Sequence, residues 1–207
     1  MEIVIASGNL HKIREFREML KPVKSIDVLS LLNFPHYQPP PEDGKTFQEN
    51  ATRKAEHAAQ ILQRWVLADD SGLVVPSLNG DPGVNSRRYA GDEATDSENR
   101  QKLLEAMRAL TGMQRTAYFE CCLVLASAQG VKKTVKGICE GEILLEERGR
   151  NGFGYDPLFM KNEYDKSFAE ITESIKNRIS HRHKALEKLL PTLETLQNCK
   201  SDSLKIL

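Results

Sequence analysis

The chain has no charge of either sign to spare: 29 Lys and Arg stand against 29 Asp and Glu in 207 residues. That balance argues against a long nucleic-acid or acidic-membrane surface, though it leaves room for one small phosphate pocket. There is no CxxC pair. The four cysteines fall at 121, 122, 139 and 199, two of them adjacent. Neither a zinc site nor a disulfide framework follows, and buried reduced thiols in a cytoplasmic protein are the expectation. Long apolar runs are missing as well. The opening Met1-Glu2-Ile3-Val4 leads straight into a strand with no basic segment before it, so neither a signal peptide nor a membrane span is expected. No internal repeat or low-complexity segment is visible. Hydrophobic content of 40% and charged content of 28% are those of a globular protein. One domain over residues 1–207 is expected, with 198–207 as a flexible tail.

What the chain does have is an unusual strand end. Val66-Leu67-Ala68 reads as buried β structure, and Asp69-Asp70-Ser71-Gly72 follows at once. A buried carboxylate without a partner is costly, so a core strand ending in two of them needs a cation or hydrogen bonds to receive the charge. A strand-end Asx turn is one reading; a chemical site is the other. Successive strand side chains face opposite ways. If the strand persists through the pair, one carboxylate faces a cleft and the other is left for a structural role. Asp70, nearer the Ser71-Gly72 turn, is taken as the chemical one.

Upstream, residues 2–6 form a strand, and Ile13, Phe16 and Leu20 recur at helical spacing up to Pro22. Ser7 to Lys12 between them make a tight loop whose helix-start amides suit an anion. Lys12 in the first turn opposes the helix dipole, which makes sense with a phosphate in the loop; an exposed lysine on an ordinary turn is the alternative. The loop lacks the length and the Gly-Lys-Ser/Thr ending of a P-loop. A second strand is expected within 23–32. The stiff Pro39-Pro40-Pro41 then delivers Glu42, Asp43 and Gly44 to a helix opened by a Thr46-Phe47-Gln48-Glu49 capping box. Glu49 is therefore read as a cap, and Glu42, outside the helix, as the freer carboxylate for a metal. Asn50 and Lys54 lie one turn apart, facing either a cleft or solvent.

Residues 76–91 form a turn-rich loop closed by Arg87 and Arg88. A second capping box at Thr95–Glu98 starts a helix expected to run to a C-terminal glycine at Gly112. Strands at 115–127 and 131–138 form a hairpin and a shorter strand covers 141–145, so the sheet is expected to be mixed. Gly149 to Phe159 sets Phe153 and Tyr155 among glycines with Asp156 beside them. It reads either as an aromatic-anchored Ω-loop or as a flexible loop whose exposed rings stack on a flat ligand while the carboxylate bonds its edge. Finally, Ser180 caps a helix with His181 and Arg182 in its first turn, Lys176 nearby, and Pro191 kinking or ending it.

Six stretches in this order, SGNLHK at 7–12, TFQENA at 46–51, ADDSGL at 68–73, PGVNSRRYAG at 82–91, GFGYDPLF at 152–159 and SHR at 180–182, resemble the inosine-triphosphate pyrophosphatase, or Ham1-like, family. They span residues 3 to about 190. The resemblance implies an elongated α/β fold with a long mixed sheet, two lobes around a central cleft, and a homodimer. It implies Mg2+-dependent hydrolysis of non-standard purine nucleoside triphosphates (dITP, ITP, XTP) to the monophosphate and pyrophosphate, which cleanses the nucleotide pool. Ser7, Gly8, Asn9, Leu10, His11 and Lys12 would hold the triphosphate. Glu42 and Asp70 would bind the metal, with Asp70 also the proton acceptor for the attacking water, and Ser71 would touch the substrate. Phe153, Gly154, Tyr155 and Asp156 would hold the base with Lys176, His181 and Arg182. Three residues depart from the family pattern: His11 stands where many members have glycine, and Asn85 and Arg87 replace tyrosine and alanine.

Overall fold

The computed structural model describes residues 1–23 and 26–203, with side chains described through residue 198. In chain order it has β1 (Glu2–Ile5), α1 (Leu10–Leu20), β2 (Asp27–Ser30), α2 (Phe47–Leu62), β3 (Trp65–Val74), α3 (Asp96–Ala106), β4 (Thr116–Ser127), β5 (Gly130–Ile143), β6 (Phe159–Lys161), α4 (Glu173–Ile179) and α5 (His181–Ser203). The strands form one sheet in the order β2-β1-β3-β4-β5-β6. β1 runs parallel to β2 and to β3, and β5 antiparallel to β6. The sheet is therefore mixed, as the sequence indicates, and the class is α/β.

The chain folds into two compact units: Met1–Asp70 with Cys122–Lys136 and the stretch from Ala185, and Ser71–Cys121 with Gly137–Lys184. In the first unit, β1 buries Ile3, Val4 and Ile5 completely, the continuous apolar run of a strand covered on both faces. α1 turns Ile13, Phe16 and Leu20 inward, and α2 turns in Ala51, Ala55, Ala58 and Ala59. Alanines there let the helix lie close to its neighbours. Thr46 caps α2 by accepting from the Glu49 amide, while the Glu49 carboxylate reaches the Lys45 amide at 2.8 Å. Glu49 is thus a cap, as read from the sequence. In the second unit Leu73, Leu103, Met107, Phe119, Tyr155, Leu158, Phe159 and Phe168 form the core.

Several boundaries differ from the sequence reading. β2 is only four residues long, because Asn33 Oδ1 takes the Ser30 amide at 3.0 Å and turns the chain. α3 ends at Ala106 rather than near Gly112; the Arg115 guanidinium donates to the Met107 and Leu110 carbonyls at 3.0 and 3.3 Å and holds the chain out of helix. β5 is one strand from 130 to 143, not two. Pro191, expected to kink or end the last helix, lies inside α5 without ending it. The buried Leu189 and Leu193 on either side keep the helix seated, and it continues to Ser203. The tail expected at 198–207 is thus helical through 203, and residues 204–207 lie outside those described. Among the described residues, no helix is long and apolar enough to cross a membrane.

Cys121, Cys122 and Cys139 have no exposed surface. Burial pushes the Cys139 thiol up to about 11, so it is protonated at pH 8 and lacks the thiolate that reacts. Iodoacetamide applied to the native protein at pH 8 should leave Cys139 unlabelled by peptide mass spectrometry, and label it after urea unfolding. Rapid native labelling of Cys139 would contradict the burial.

Candidate functional site

The first unit carries a cluster of carboxylates and lysines. β3 does not stop at Ala68: it runs through Asp69, Asp70, Ser71 and Gly72 to Val74, which removes the strand-end turn reading. Both carboxylates are buried, with exposures of 1% and 6%. Each has a lysine from a different helix. Lys12 Nζ of α1 lies 2.9 Å from Asp69 Oδ2. Lys54 Nζ of α2 lies 3.6 Å from Asp70 Oδ1, 3.1 Å from Glu42 Oε1, and donates to the Asp69 carbonyl at 2.7 Å. One ammonium therefore spans Glu42 and Asp70, the two carboxylates read from the sequence as metal ligands.

Asn50, one turn before Lys54, fixes the second oxygen. Its Nδ2 donates to Asp70 Oδ2 at 2.9 Å and its Oδ1 accepts from the Gly44 amide at 2.8 Å. A Cβ at Gly44 would come within 2.5 Å of that Oδ1, so only glycine allows the approach. Of the two orientations open for Asn50 and Lys54, the structure takes the inward one. Burial pushes the Asp70 carboxyl above the usual range, opposed by the charges of Lys54 and Lys12 and by the Asn50 hydrogen bond. Burial disfavours the Lys54 charge, yet Asp70, Asp69 and Glu42 outweigh it and hold the ammonium protonated.

In the loop from Ser7 to Lys12, Asn9 caps α1 by accepting from the His11 and Lys12 amides at 2.9 and 3.2 Å. Ser7 Oγ takes the Asn9 amide at 3.1 Å. The helix-start amides expected for an anion are thus partly engaged by side chains. The charge that compensates Lys12 is Asp69. His11 and Leu10 are exposed.

The second unit carries a different cluster. The Gly149–Phe159 segment is not lined by exposed rings. Tyr155 is 4% exposed, sits in the core, and its hydroxyl donates to the Ser86 carbonyl at 2.9 Å. Phe153 is half-buried. Asp156 points inward: its Oδ2 accepts from the Phe153 amide at 2.9 Å and from Lys176 Nζ at 2.6 Å. Lys176 Nζ lies 4.6 Å from the centre of the Phe153 ring and Arg182 Cζ 5.9 Å from it. Two cations thus lie against one aromatic ring. Arg182, buried, donates to Ser71 Oγ at 2.9 Å. His181 stacks on Phe119, centroids 4.8 Å apart, and Ser180 Oγ takes the His183 amide at the start of α5. The three basic residues therefore share one unit. Phe119 and Phe168 were not singled out from the sequence; the alternation within β4 shows that Phe119 faces inward but not what it meets. Arg87 of the turn-rich loop is exposed, and its carbonyl accepts from Asn99.

Comparison with known proteins gives one consistent answer. The profile of the Ham1 family matches residues 3–192. A protein of Protochlamydia amoebophila named dITP/XTP pyrophosphatase is 63% identical over 199 residues, 96% of this chain and 100% of that protein. One of Chlamydia abortus with the same name is 51% identical over 197 residues, 95% and 96% of the two chains. Among solved structures, a HAM1 protein from Coxiella burnetii superposes with a TM-score of 0.85 at 43% identity, covering 94% of this chain and 99% of that one. The Staphylococcus aureus Ham1 protein gives 0.82 at 40% identity, covering 94% and 99%.

The Lys176–Asp156 pair is buried on both sides, with exposures of 4% and 3%. Removing one partner strands the other charge, at a cost of about 3–5 kcal/mol. Asp156→Leu should lose stability of that order in urea unfolding, and adding Lys176→Met should recover most of it. Equal stabilities of the single variant and the wild type would show that the pair is not desolvated.

Proposed function

The chain belongs to the Ham1 family, and from that premise we propose that it is a pyrophosphatase of non-standard purine nucleoside triphosphates, releasing the monophosphate and pyrophosphate from dITP, ITP or XTP. The observation that carries the reading is Lys54 Nζ shared between Glu42 and Asp70, next to a second lysine-carboxylate pair. It marks a position where two hard oxygen donors already hold positive charge. Among the described residues no group of three or more His, Cys, Asp or Glu could hold a metal, but Mg2+ needs only one or two carboxylates when phosphate oxygens complete its shell. Glu42 and Asp70 fit that requirement and would hold Mg2+, which when bound supplies charge against the phosphate oxygens and acidifies water.

The chain's own residues do the rest. Asp70, held by Asn50 and Lys54, accepts a proton from the water that attacks the α-phosphorus in line. As that P–O bond forms, the α–β bridging bond breaks and its electron pair leaves with pyrophosphate. Lys12 and the Ser7–Lys12 loop stabilise the leaving charge; the Gly8 and Leu10 amides are those that the Ser7 and Asn9 side chains do not engage. Ser71 contacts the substrate. For the base, the face of Phe153 offers stacking, with Gly154, Tyr155 and Asp156 shaping the pocket. Lys176, His181 and Arg182 supply donors. A 6-oxo purine accepts hydrogen bonds where adenine donates, so buried donors left unpaired by adenine can discriminate by about 10⁴-fold. A cytoplasmic homodimer, without nucleic-acid or membrane partners, completes the proposal; sedimentation equilibrium at twice the chain mass checks the dimer.

Pyrophosphate release from dITP, ITP, XTP and ATP, with and without Mg2+, tests the function. The 6-oxo nucleotides should be hydrolysed only with the metal, and binding without turnover would instead make the protein a nucleotide-responsive regulator. Asp70→Asn should lower kcat for dITP by about 10²–10⁴-fold while dITP still binds in calorimetry; near wild-type turnover would remove Asp70 from its role. Arg182→Ala should lose the preference for ITP over ATP, and an unchanged ratio would contradict its part in reading the base.

A further inference from the structure

The backbone of Gly154 is gripped on both its amide and its carbonyl by one helix. Asp96, the first residue of α3, accepts from the Gly154 amide through Oδ2 at 2.7 Å. Arg100, one turn later, donates from Nη1 to the Gly154 carbonyl at 2.9 Å. Residues i and i+4 lie on the same helix face, so a single rigid helix presents an acceptor and a donor matched to the donor and acceptor of one residue. Arg100 is itself steadied by Glu147, with Nε 2.9 Å from Oε1. Gly154 has a left-handed backbone, φ 59°, and a Cβ there would meet nothing within 4 Å. The conformation and not crowding asks for glycine, and the outer side of the residue is open.

The neighbours of Gly154 show what the grip controls. The Phe153 amide bonds Asp156 Oδ2, the oxygen that also receives Lys176. Tyr155, on the other side, is anchored to the Ser86 carbonyl, and Ser86 Oγ accepts from the Leu73 amide at 2.9 Å. Phe153 alone in this segment has a half-open ring carrying two cations. Its position depends on the Asp156 bond on its own amide and on the Gly154 peptide that follows. We propose that Asp96 and Arg100 are positioning residues for purine selection: they clamp the Gly154 peptide and thereby set the plane of the Phe153 ring against the base. The inference rests on the proposed reading of Phe153 to Asp156 as the base-holding segment. Neither residue touches the base itself.

A structural role for Asp96 in α3 is separable from this one. A carboxylate in the first turn favours the helix dipole through its charge, whereas the clamp needs only an acceptor oxygen. Asp96→Asn keeps the acceptor and loses the charge; Asp96→Ala loses both; Arg100→Met removes the other jaw without touching the helix start. Steady-state kinetics with dITP and dATP in Mg2+, and amide exchange of Gly154 by NMR, give two independent readings. Asp96→Ala and Arg100→Met should each raise KM for dITP and narrow the dITP to dATP ratio of kcat/KM by about tenfold, the upper range for one ordinary hydrogen bond, with kcat nearly unchanged. The Gly154 amide should exchange about tenfold faster in Asp96→Ala. Asp96→Asn should restore both. An unchanged ratio in both deletions, or an Asn variant indistinguishable from Ala, would overturn the clamp. A wild type that does not hydrolyse dITP would overturn the functional reading on which the selection role rests, while the exchange data would still decide whether the grip exists.

Discussion

Two adjacent carboxylates inside a sheet have to be given two cations, and the first unit is arranged to do so. Asp69 and Asp70 sit in the middle of β3, buried, where a naked charge is not tolerated. Lys12 is brought to one by α1 and Lys54 to the other by α2. That requirement ties the loop before α1, the helix after the proline-rich segment and the central strand to one another. It also explains why the polar residues of α2 that face inward are Asn50 and Lys54 among a row of alanines. Replacing the acidic pair by apolar residues would suit the core better, and it would take from Lys12 and Lys54 the carboxylates they meet on β3.

The second unit solves a related problem with rings. Lys176 and Arg182 are buried cations, and they are accommodated by a carboxylate, a hydroxyl and the electron-rich face of Phe153. Aromatic side chains give such a cluster shape as well as charge compensation: Phe119 is tilted against Phe159 and parallel to Phe168, with His181 stacked on it.

What was legible in the sequence was local. The capping residues Thr46 and Thr95 and the apolar spacing of α1 and α2 act within one or two turns, and each appears in the structure where the pattern puts it. The hairpin signals at 115–138, beside the strand-loop-helix pattern at the start of the chain, made the mixed sheet legible as well. Features set by distant residues were not legible. β3 pairs with β1 only from Trp65 to Leu67; it persists through Asp-Asp-Ser-Gly, a sequence poor in strand formers, because its place beside β4 in the sheet overrides local preference. Lys12 looked like a cation waiting for a phosphate; its counter-charge lies 57 positions along the chain, at Asp69. Asp156 and Tyr155 looked like ligand-facing groups on a glycine loop, and it is the position of Lys176 and of the core that turns both inward. Asp96 and Arg100 had no signal beyond the capping box, since the residue they grip is over fifty positions away.

The central claim is that Glu42 and Asp70, held together in this structure by Lys54, are the seat of a divalent cation on a nucleotide. The most direct measurement is a crystal structure with Mn2+ and an α,β-imido analogue of dITP, the metal located by its anomalous scattering. The account predicts the anomalous peak between the Glu42 and Asp70 carboxylates, in contact with the phosphates, with hypoxanthine against Phe153. A metal bound away from both carboxylates would contradict it.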